Sequence, residues 1–206
     1  MSIDYATRGG VTEIVLNRPD RLNALDSEHF EALNGAIERA ASDGGRALLL
    51  RSEGRAFCAG RDIGEIDPFS EDPADVLRRT FNALVLKIRA LPMPTVAAVQ
   101  GSCLGAGTGI ALACDVVVAA VDATFASPFG RLGSVPDSGF HWFFTNRLGP
   151  ALAKDVVLTG RALDGAEAAR LGLIARAVPA DELTEQARAL AADIAAGPTV
   201  ALALAC

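Results

Sequence analysis

The hydrophobic and polar positions of this chain fall into two patterns that alternate along its length. Residues 11–16 form a short apolar run of strand length, and residues 46–51 form another. Between them, residues 27–41 place apolar side chains every three or four positions, which predicts an amphipathic helix with Asp26 or Ser27 as its N-cap. This strand–helix–strand order predicts a βα-rich fold with a right-handed crossover.

The alternation continues toward the end of the chain. Further helices are predicted over residues 76–90, 106–112, 140–148, 151–158, 164–171 and 181–196. Further strands are predicted over residues 95–100, 115–119, 124–126 and 173–178. Residues 66–73 contain two prolines and several acids, and we expect a mobile loop there. We predict one core domain over residues 1–196 and the start of a C-terminal helical region over 197–206.

Composition narrows the class of protein. The chain has 206 residues, half of them hydrophobic, which is enough for one domain with a full core. No apolar run reaches membrane-spanning length, and residues 1–5 lack the features of a signal peptide, so we expect a soluble, cytoplasmic protein without a membrane partner. The net charge is −6 with only two lysines and no basic stripe, which disfavours nucleic-acid binding.

Cysteine and histidine usage points away from a metal site. The four cysteines form no CxxC pair, and the chain has two histidines. Three of the cysteines lie among apolar or small residues, so we expect reduced, buried thiols. The cysteines are Cys58, Cys103, Cys114 and Cys206.

Two glycine-bearing segments are the strongest chemical signal in the chain. They are residues 56–63 (AFCAGRDI) and 101–109 (GSCLGAGTG), and each follows an apolar run rich in β-formers. Neither ends in the Lys-Ser/Thr of a phosphate loop. Together they can direct two backbone N–H groups at one oxygen, which favours an acyl-thioester over a nucleotide as substrate.

Four motifs together resemble the crotonase (enoyl-CoA hydratase/isomerase) superfamily. They are NRP with LNAL at residues 17–25, AFCAGRDI at 56–63, LGAG with ACDV at 104–116, and GSVPDSG at 133–139. They follow the family's order and span most of the chain. The resemblance implies an α/β, crotonase-like fold of repeated ββα units that assembles as a homotrimer or a dimer of trimers. Relative to the family's pattern, the C-terminal helical region is expected to be truncated.

The resemblance also assigns an oxyanion hole. Its two N–H donors fall on Arg61 and Ala106. The assignment is physically sound because Gly60 lets the backbone approach a ligand and Ala106 lies at a predicted helix start, where N–H groups are free. Two ordinary strand-to-helix turns are the alternative.

The chain departs from the hydratase pattern at the acids. Hydratases of this family use two glutamates, and the matching positions here hold Gly109 and Phe129. Asp137, in the PDSG turn, resembles the aspartate of family branches that shift double bonds or open rings on CoA thioesters. Phe129, Val135, Phe140 and Trp142 are expected to desolvate Asp137 and raise its pKa, which suits a proton shuttle. The alternatives for Asp137 are a helix cap or, as in a related branch, a nucleophile.

The resemblance further implies how the substrate would lie. Arg21 is expected to contact a CoA phosphate, with a plain surface arginine as the alternative. The residues implied to line the pantetheine and adenine slot are Ala24, Ala59, Asp62 and Ile63. The residues implied to line the acyl pocket are Leu104, Phe129 and Val135.

Several other polar residues are interpreted more plainly. Asp62 is expected to hold its turn by hydrogen bonds, His141 to be packed or on the surface, and His29 to be solvated. Glu65 and Asp67 are candidates for a substitute acid.

The sequence therefore predicts an acyl-CoA thioester as ligand and an enolate held by Arg61 and Ala106. Asp137 would shuttle the proton in an enoyl-CoA isomerase-type reaction. No separate cofactor or metal is expected, because CoA arrives with the substrate. The alternatives are an enoyl-CoA hydratase with an unconventional acid, chemistry with Asp137 as nucleophile, and a non-catalytic acyl-CoA-binding pseudoenzyme.

Overall fold

The computed structural model of the protein describes residues 3–65 and 72–205, apart from the side chains of Glu65 and Pro73. Within these residues the chain forms ten strands and ten α-helices. The strands are β1 (Ile3–Arg8), β2 (Val11–Leu16), β3 (Ala47–Ser52), β4 (Ala56–Cys58), β5 (Thr95–Val99), β6 (Ser102–Leu104), β7 (Val116–Ala120), β8 (Thr124–Ala126), β9 (Leu163–Asp164) and β10 (Arg176–Val178). The helices are α1 (Ser27–Ala40), α2 (Pro73–Arg79), α3 (Phe81–Arg89), α4 (Ala106–Ala113), α5 (Phe129–Leu132), α6 (Phe140–Leu148), α7 (Pro150–Thr159), α8 (Gly165–Arg170), α9 (Leu183–Ala196) and α10 (Thr199–Leu204).

The strands form two sheets, and the chain adds strands to the two sheets alternately. The larger sheet has the order β1-β2-β3-β5-β7-β10, and the smaller has the order β4-β6-β8-β9. Three successive units, β3–β4, β5–β6 and β7–β8, each add one parallel strand to each sheet before a helix follows. This arrangement confirms the α/β fold of repeated ββα units that the resemblance implied.

The larger sheet lies at the centre of the core. Its middle strands β3 and β5 are almost wholly buried, and α9 packs across them and β7. Arg46 fastens the end of α9 by donating to the carbonyl oxygens of Ala195 and Gly197, both at 2.6 Å. These bonds satisfy carbonyls that a helix end leaves without intrahelical donors.

The structure corrects several predicted elements. Strand β1 was missed, although Gly9 and Gly10, both with positive φ, form the tight turn that pairs it with β2. The single helix predicted over 76–90 is two helices, because the backbone breaks at Thr80 (φ −110°, ψ −102°). Strands β4 and β6 lie inside the glycine-bearing segments interpreted as turns. Helix α5 was not predicted, and the strand predicted over 173–178 is confined to β10.

Some predictions are not tested by these elements. Of the mobile loop predicted over 66–73, residues 66–71 lie outside the described residues, as do the candidate acid Asp67 and Cys206. The end of that prediction is wrong, because Asp72 caps α2 and Pro73 begins it. Helix α10 contacts α9, and the division at residue 196 stays a prediction. Among the residues that the structure describes, no helix combines the length and apolar character needed to span a bilayer.

Candidate functional site

The NRP–LNAL segment is hydrogen-bonded to the first glycine-bearing segment and to the residues just before it. Asn23, buried with φ +54°, donates from Nδ2 to the carbonyl oxygens of Glu53 and Ala56 at 2.9 and 2.8 Å. Leu25 N–H donates to Gly60 O at 2.8 Å, so the two segments run side by side. This pairing places Ala24 on the wall of a cavity. The sequence motif contained Asn23, but its structural role could not be inferred from the motif, because it depends on hydrogen bonds to backbone about 30 residues away.

The two glycine-bearing segments meet through neighbouring parallel strands, β4 and β6. Gly60 has φ +95°, and a Cβ there would lie 3.0 Å from Leu104 O and 3.5 Å from Ala106 N. A Cβ on Gly107 would lie 2.3 Å from Cys58 O. The backbones therefore approach each other so closely that a side chain is excluded at Gly107, while at Gly60 the positive φ and the tight contact both favour glycine.

The two predicted oxyanion donors lie on the same cavity. Ala106 is the first residue of α4 after Gly105, so its N–H has no acceptor within the helix and lies at the positive end of the helix dipole. Arg61 follows Gly60 in the neighbouring segment. The arrangement suits stabilisation of a negatively charged oxygen, and the assignment of these two N–H groups as donors stays a prediction.

The cavity has a volume of about 540 Å³ and is lined largely by apolar side chains. The structure brings most of the predicted site residues together on it: Ala24, Ala59, Arg61, Asp62, Ile63, Ala106, Phe129, Val135 and Asp137. Val135 lies at the rim, since 76% of its surface is exposed. Two predicted residues do not line this cavity. Arg21 is exposed nearby and accepts the Ala24 N–H through its carbonyl oxygen, and Leu104 turns its carbonyl oxygen toward Gly60.

Sequence reasoning missed part of the cavity wall. The missed lining residues are Leu77, Phe81, Pro128, Leu132 and Ser134. Leu77 and Phe81 belong to α2 and α3, where apolar residues at helical spacing look the same whether they face a core or a ligand. Pro128 and Leu132 flank Phe129, so their proximity to the acyl pocket could have been inferred from the motif.

Asp137 lies in the cavity wall, and its pKa is raised. Burial raises the pKa of its carboxyl, and this effect is opposed by a hydrogen bond from Ser138 and by the charge of Arg61. Ser138 Oγ lies 2.7 Å from Asp137 Oδ1. The helix-cap alternative does not hold, because Gly139, and not Asp137, occupies the N-cap of α6. Trp142 is not part of this environment. It is half exposed, with the Arg89 guanidinium 5.2 Å from its ring centre.

The two positions that hold glutamates in hydratases are filled differently here, the first by backbone and the second by an aromatic ring. A Cβ on Gly109 would lie 2.1 Å from Ser138 O, so the PDSG turn occupies the space that a glutamate would need. Phe129 is 5% exposed, and its ring packs edge-on against Phe140 with 5.7 Å between centres. The cavity therefore offers an apolar wall where the second glutamate would stand.

Other polar residues near the site are structural. Asp62 accepts the Gly64 N–H at 3.1 Å and the Arg18 guanidinium at 3.3 Å, which supports its role in holding the turn. His29 was expected to be solvated, but its ring is mostly buried and pairs with Asp26, the N-cap of α1. His141 is exposed. Within the described ranges, no cluster of His, Cys, Asp or Glu could hold a metal ion.

Comparisons with known proteins agree with this geometry. The family profile described as Enoyl-CoA hydratase/isomerase matches residues 6–205. A protein named "Probable enoyl-CoA hydratase" from Rhodobacter capsulatus is 39% identical over 202 residues, covering 98% of this chain and 78% of that protein. The 1,2-epoxyphenylacetyl-CoA isomerase of Escherichia coli is 36% identical over 200 residues, covering 95% and 76%. A solved enoyl-CoA hydratase from Mycobacterium avium subsp. paratuberculosis superposes with a TM-score of 0.90 at 35% identity, covering 99% and 82%.

Proposed function

Because the chain belongs to the enoyl-CoA hydratase/isomerase family of the crotonase superfamily, we propose that it binds an acyl-CoA thioester and moves a proton on it. The thioester oxygen lies between the N–H groups of Arg61 and Ala106, and Asp137 is the proton shuttle. The reaction is of the enoyl-CoA isomerase type. It needs no separate cofactor or metal.

The proposed chemistry uses one carboxylate twice. Asp137 removes a proton from the α carbon of a 3-enoyl thioester, and the electron pair moves into the thioester carbonyl to give a dienolate. The two backbone N–H groups stabilise the negative charge on that oxygen, which is the main contribution expected of such a site. The protonated Asp137 then returns the proton at the γ carbon, so the double bond moves into conjugation and the carboxylate is restored.

One observation supports this proposal above the others, namely the contact between Gly109 and Ser138. The turn that presents Asp137 to the cavity also fills the space next to Gly109. The same turn therefore leaves no room for a glutamate at position 109 and supplies a carboxyl at position 137. Burial raises the pKa of Asp137, and a carboxyl whose pKa lies nearer the working pH is a better proton shuttle.

Hydration is the second candidate because the Rhodobacter capsulatus relative is named as a hydratase. The name of the Escherichia coli relative, an isomerase of an epoxide thioester, agrees with the first candidate. A hydratase here would need another acid, such as Glu65. With glycine and phenylalanine at the two glutamate positions, we expect hydration of crotonyl-CoA to be slower than in a two-glutamate hydratase by about 10²–10⁴-fold.

The test is proton exchange in deuterated water. The wild-type protein is incubated with 3-enoyl-, trans-2-enoyl- and saturated acyl-CoA, and the products are followed by mass spectrometry. We expect exchange and double-bond migration that fall about 10²–10⁴-fold in Asp137→Asn, while acyl-CoA still raises the melting temperature. Asp193→Asn, which removes an exposed carboxylate on α9, is the matched control and is expected to behave as wild type.

Other outcomes would each point to a different function. Unchanged exchange in folded Asp137→Asn would remove Asp137 from the mechanism. Binding without exchange in the wild type would favour a pseudoenzyme, and an acyl adduct on Asp137 in the intact mass would favour a nucleophile. No thermal shift with any acyl-CoA would overturn the proposed ligand. Contact of Arg21 with a CoA phosphate, assembly as a homotrimer or dimer of trimers, and a cytoplasmic location stay predictions.

A further inference from the structure

The turn that presents Asp137 contains an unusual backbone position. Ser138 has φ +51°, in the left-handed region that a residue with a side chain rarely occupies, and its surface is 0% exposed. Gly139 follows with φ +74°. A non-glycine residue keeps such a conformation only where its surroundings over-determine it, and such residues cluster at functional sites.

Asn82 holds this position from a separate element. It lies in the first turn of α3, and its Oδ1 accepts the Ser138 N–H at 3.2 Å. Beneath the turn, Gly109 leaves room for Ser138 O, as described above. The turn is therefore held from α3 and from α4. Phe81, the neighbour of Asn82, lines the cavity with Asp137, so α3 contributes both to the cavity wall and to this support.

The conformation at Ser138 has a direct chemical consequence. It directs the hydroxyl back onto Asp137, where Oγ donates to Oδ1 at 2.7 Å. A hydrogen bond to the charged form of a carboxyl favours that form and fixes the plane of the group. With Oδ1 engaged in this way, the second carboxylate oxygen is the one available to exchange a proton.

We propose that Asn82 is a positioning residue, which holds the Ser138 N–H so that the Ser138 hydroxyl binds Asp137 Oδ1 and Oδ2 is left to carry the substrate proton. This inference rests on the proposed proton shuttling by Asp137 and adds a second layer to it. Asn82 acts through Ser138 and does not itself touch the substrate.

The test measures kcat, KM and the pH profile of deuterium exchange in Asn82→Ala and Ser138→Ala. We expect each substitution to lower kcat about tenfold, the scale of one hydrogen bond, with KM little changed. Loss of the Ser138 hydrogen bond removes an effect that lowers the pKa of Asp137, so the acid limb of the profile moves to higher pH in both variants. The charge of Arg61 also lowers the pKa of Asp137, and Arg61 is unchanged in both variants.

Two further variants separate positioning from plain stability. Asn82→Asp keeps an acceptor oxygen in place and is expected to recover most of kcat, whereas Asn82→Leu fills the space without an acceptor and is expected to match Asn82→Ala. Because Asn82 acts through Ser138, the Asn82→Ala/Ser138→Ala double variant is expected to have a kcat no lower than that of the more impaired single variant. Asn34→Ala, which removes another helical asparagine acceptor, that of Lys87 Nζ, is the control and is expected to behave as wild type.

The outcomes that contradict the inference are distinct from those that contradict the proposed function. Exchange that needs Asp137 but is unchanged in Asn82→Ala would overturn the inference alone. Additive losses in the double variant, or a lowered melting temperature with an unmoved acid limb, would also overturn it alone. If Asn82→Ala does not fold, the comparison of Asn82→Leu with Asn82→Asp decides the matter. Wild-type protein without exchange would overturn both proposals.

Discussion

The two sides of the cavity are built in different ways. On the oxyanion side, which comprises the segments around Gly60 and Ala106, the chemistry comes from backbone atoms, and the fit is so tight that added Cβ atoms meet neighbouring backbone. On the acid side, which is the PDSG turn, it comes from one side chain, and the rim at Leu132 and Val135 is largely exposed. The oxyanion side should therefore fail by losing its fold, and the acid side by losing its proton chemistry.

The largest effect is expected where the two sides touch. Gly109→Glu would restore the hydratase residue in sequence, but its Cβ alone would lie 2.1 Å from Ser138 O. We expect a loss of more than about 3 kcal/mol in the free energy of unfolding, because the side chain is both oversized and a buried charge. Denaturant unfolding and crotonyl-CoA hydration are the measurements. A folded Gly109→Glu protein that gains hydration would contradict this account of the acid side.

The next effect isolates the oxyanion side. In Gly107→Ala, the new methyl group would lie 2.3 Å from Cys58 O, which is backbone and cannot move independently of β4. We expect the free energy of unfolding to fall by about 1–3 kcal/mol, measured by denaturant unfolding. Gly35→Ala is the matched control, since it is exposed within α1 with nothing within 4 Å of the new Cβ. Gly35→Ala should raise the free energy of unfolding by about 0.8–1 kcal/mol. Equal effects at both positions would contradict the close approach of Gly107 to Cys58 O.

A smaller effect concerns the acid side and pH. The folded-state pKa of Asp137 is raised above its unfolded value, so folding favours the protonated form. The associated stability is fully present below the unfolded pKa and is lost as pH rises through the folded pKa. Asp137→Asn stays neutral, so its melting temperature should exceed that of the wild type at pH 7, and the difference should shrink as pH falls toward 4.

Melting curves over that range, with Asp193→Asn as the control, check this prediction. A difference that grows as the pH falls would show that the pKa of Asp137 is lowered in the folded state and that the desolvation argument is wrong.

The smallest expected effect is an absence of reaction at three buried thiols, two of which lie on the oxyanion side. Burial raises the pKa of Cys58 to about 12 and that of Cys103 well above its ordinary value, and Cys114 behaves like Cys58. Since the thiolate is the reactive form, iodoacetamide at pH 8 should leave these three residues unmodified in the folded protein and modify them after unfolding in guanidinium. Peptide mapping resolves each site. Rapid labelling of Cys58 or Cys103 without unfolding would show that the two segments open readily.

The alternation of apolar residues predicted most elements because strand and helix periods are local. The strand Val11–Leu16 was found in this way and is confirmed. Of the two N-cap candidates Asp26 and Ser27, the structure confirms Asp26. Strands β4 and β6 were missed because both lie inside the glycine-bearing segments, whose composition favours turns, whereas β8, of the same length, was predicted. The break at Thr80 was missed because apolar spacing continues through it.

The order of the motifs in the sequence identified the family, and the resemblance to that family implied the repeated ββα fold and the segments predicted to form the site. Periodicity along the chain located most of the helices and strands. Only the tertiary structure decided which atoms meet across distant segments. Asn82 and Ser138 are 56 residues apart, and no local pattern links them. The sequence showed that a glutamate is missing at position 109, but only packing showed that the PDSG turn has taken its place. The physical reason is that propensity and periodicity depend on neighbours in sequence, whereas steric exclusion and desolvation depend on neighbours in space.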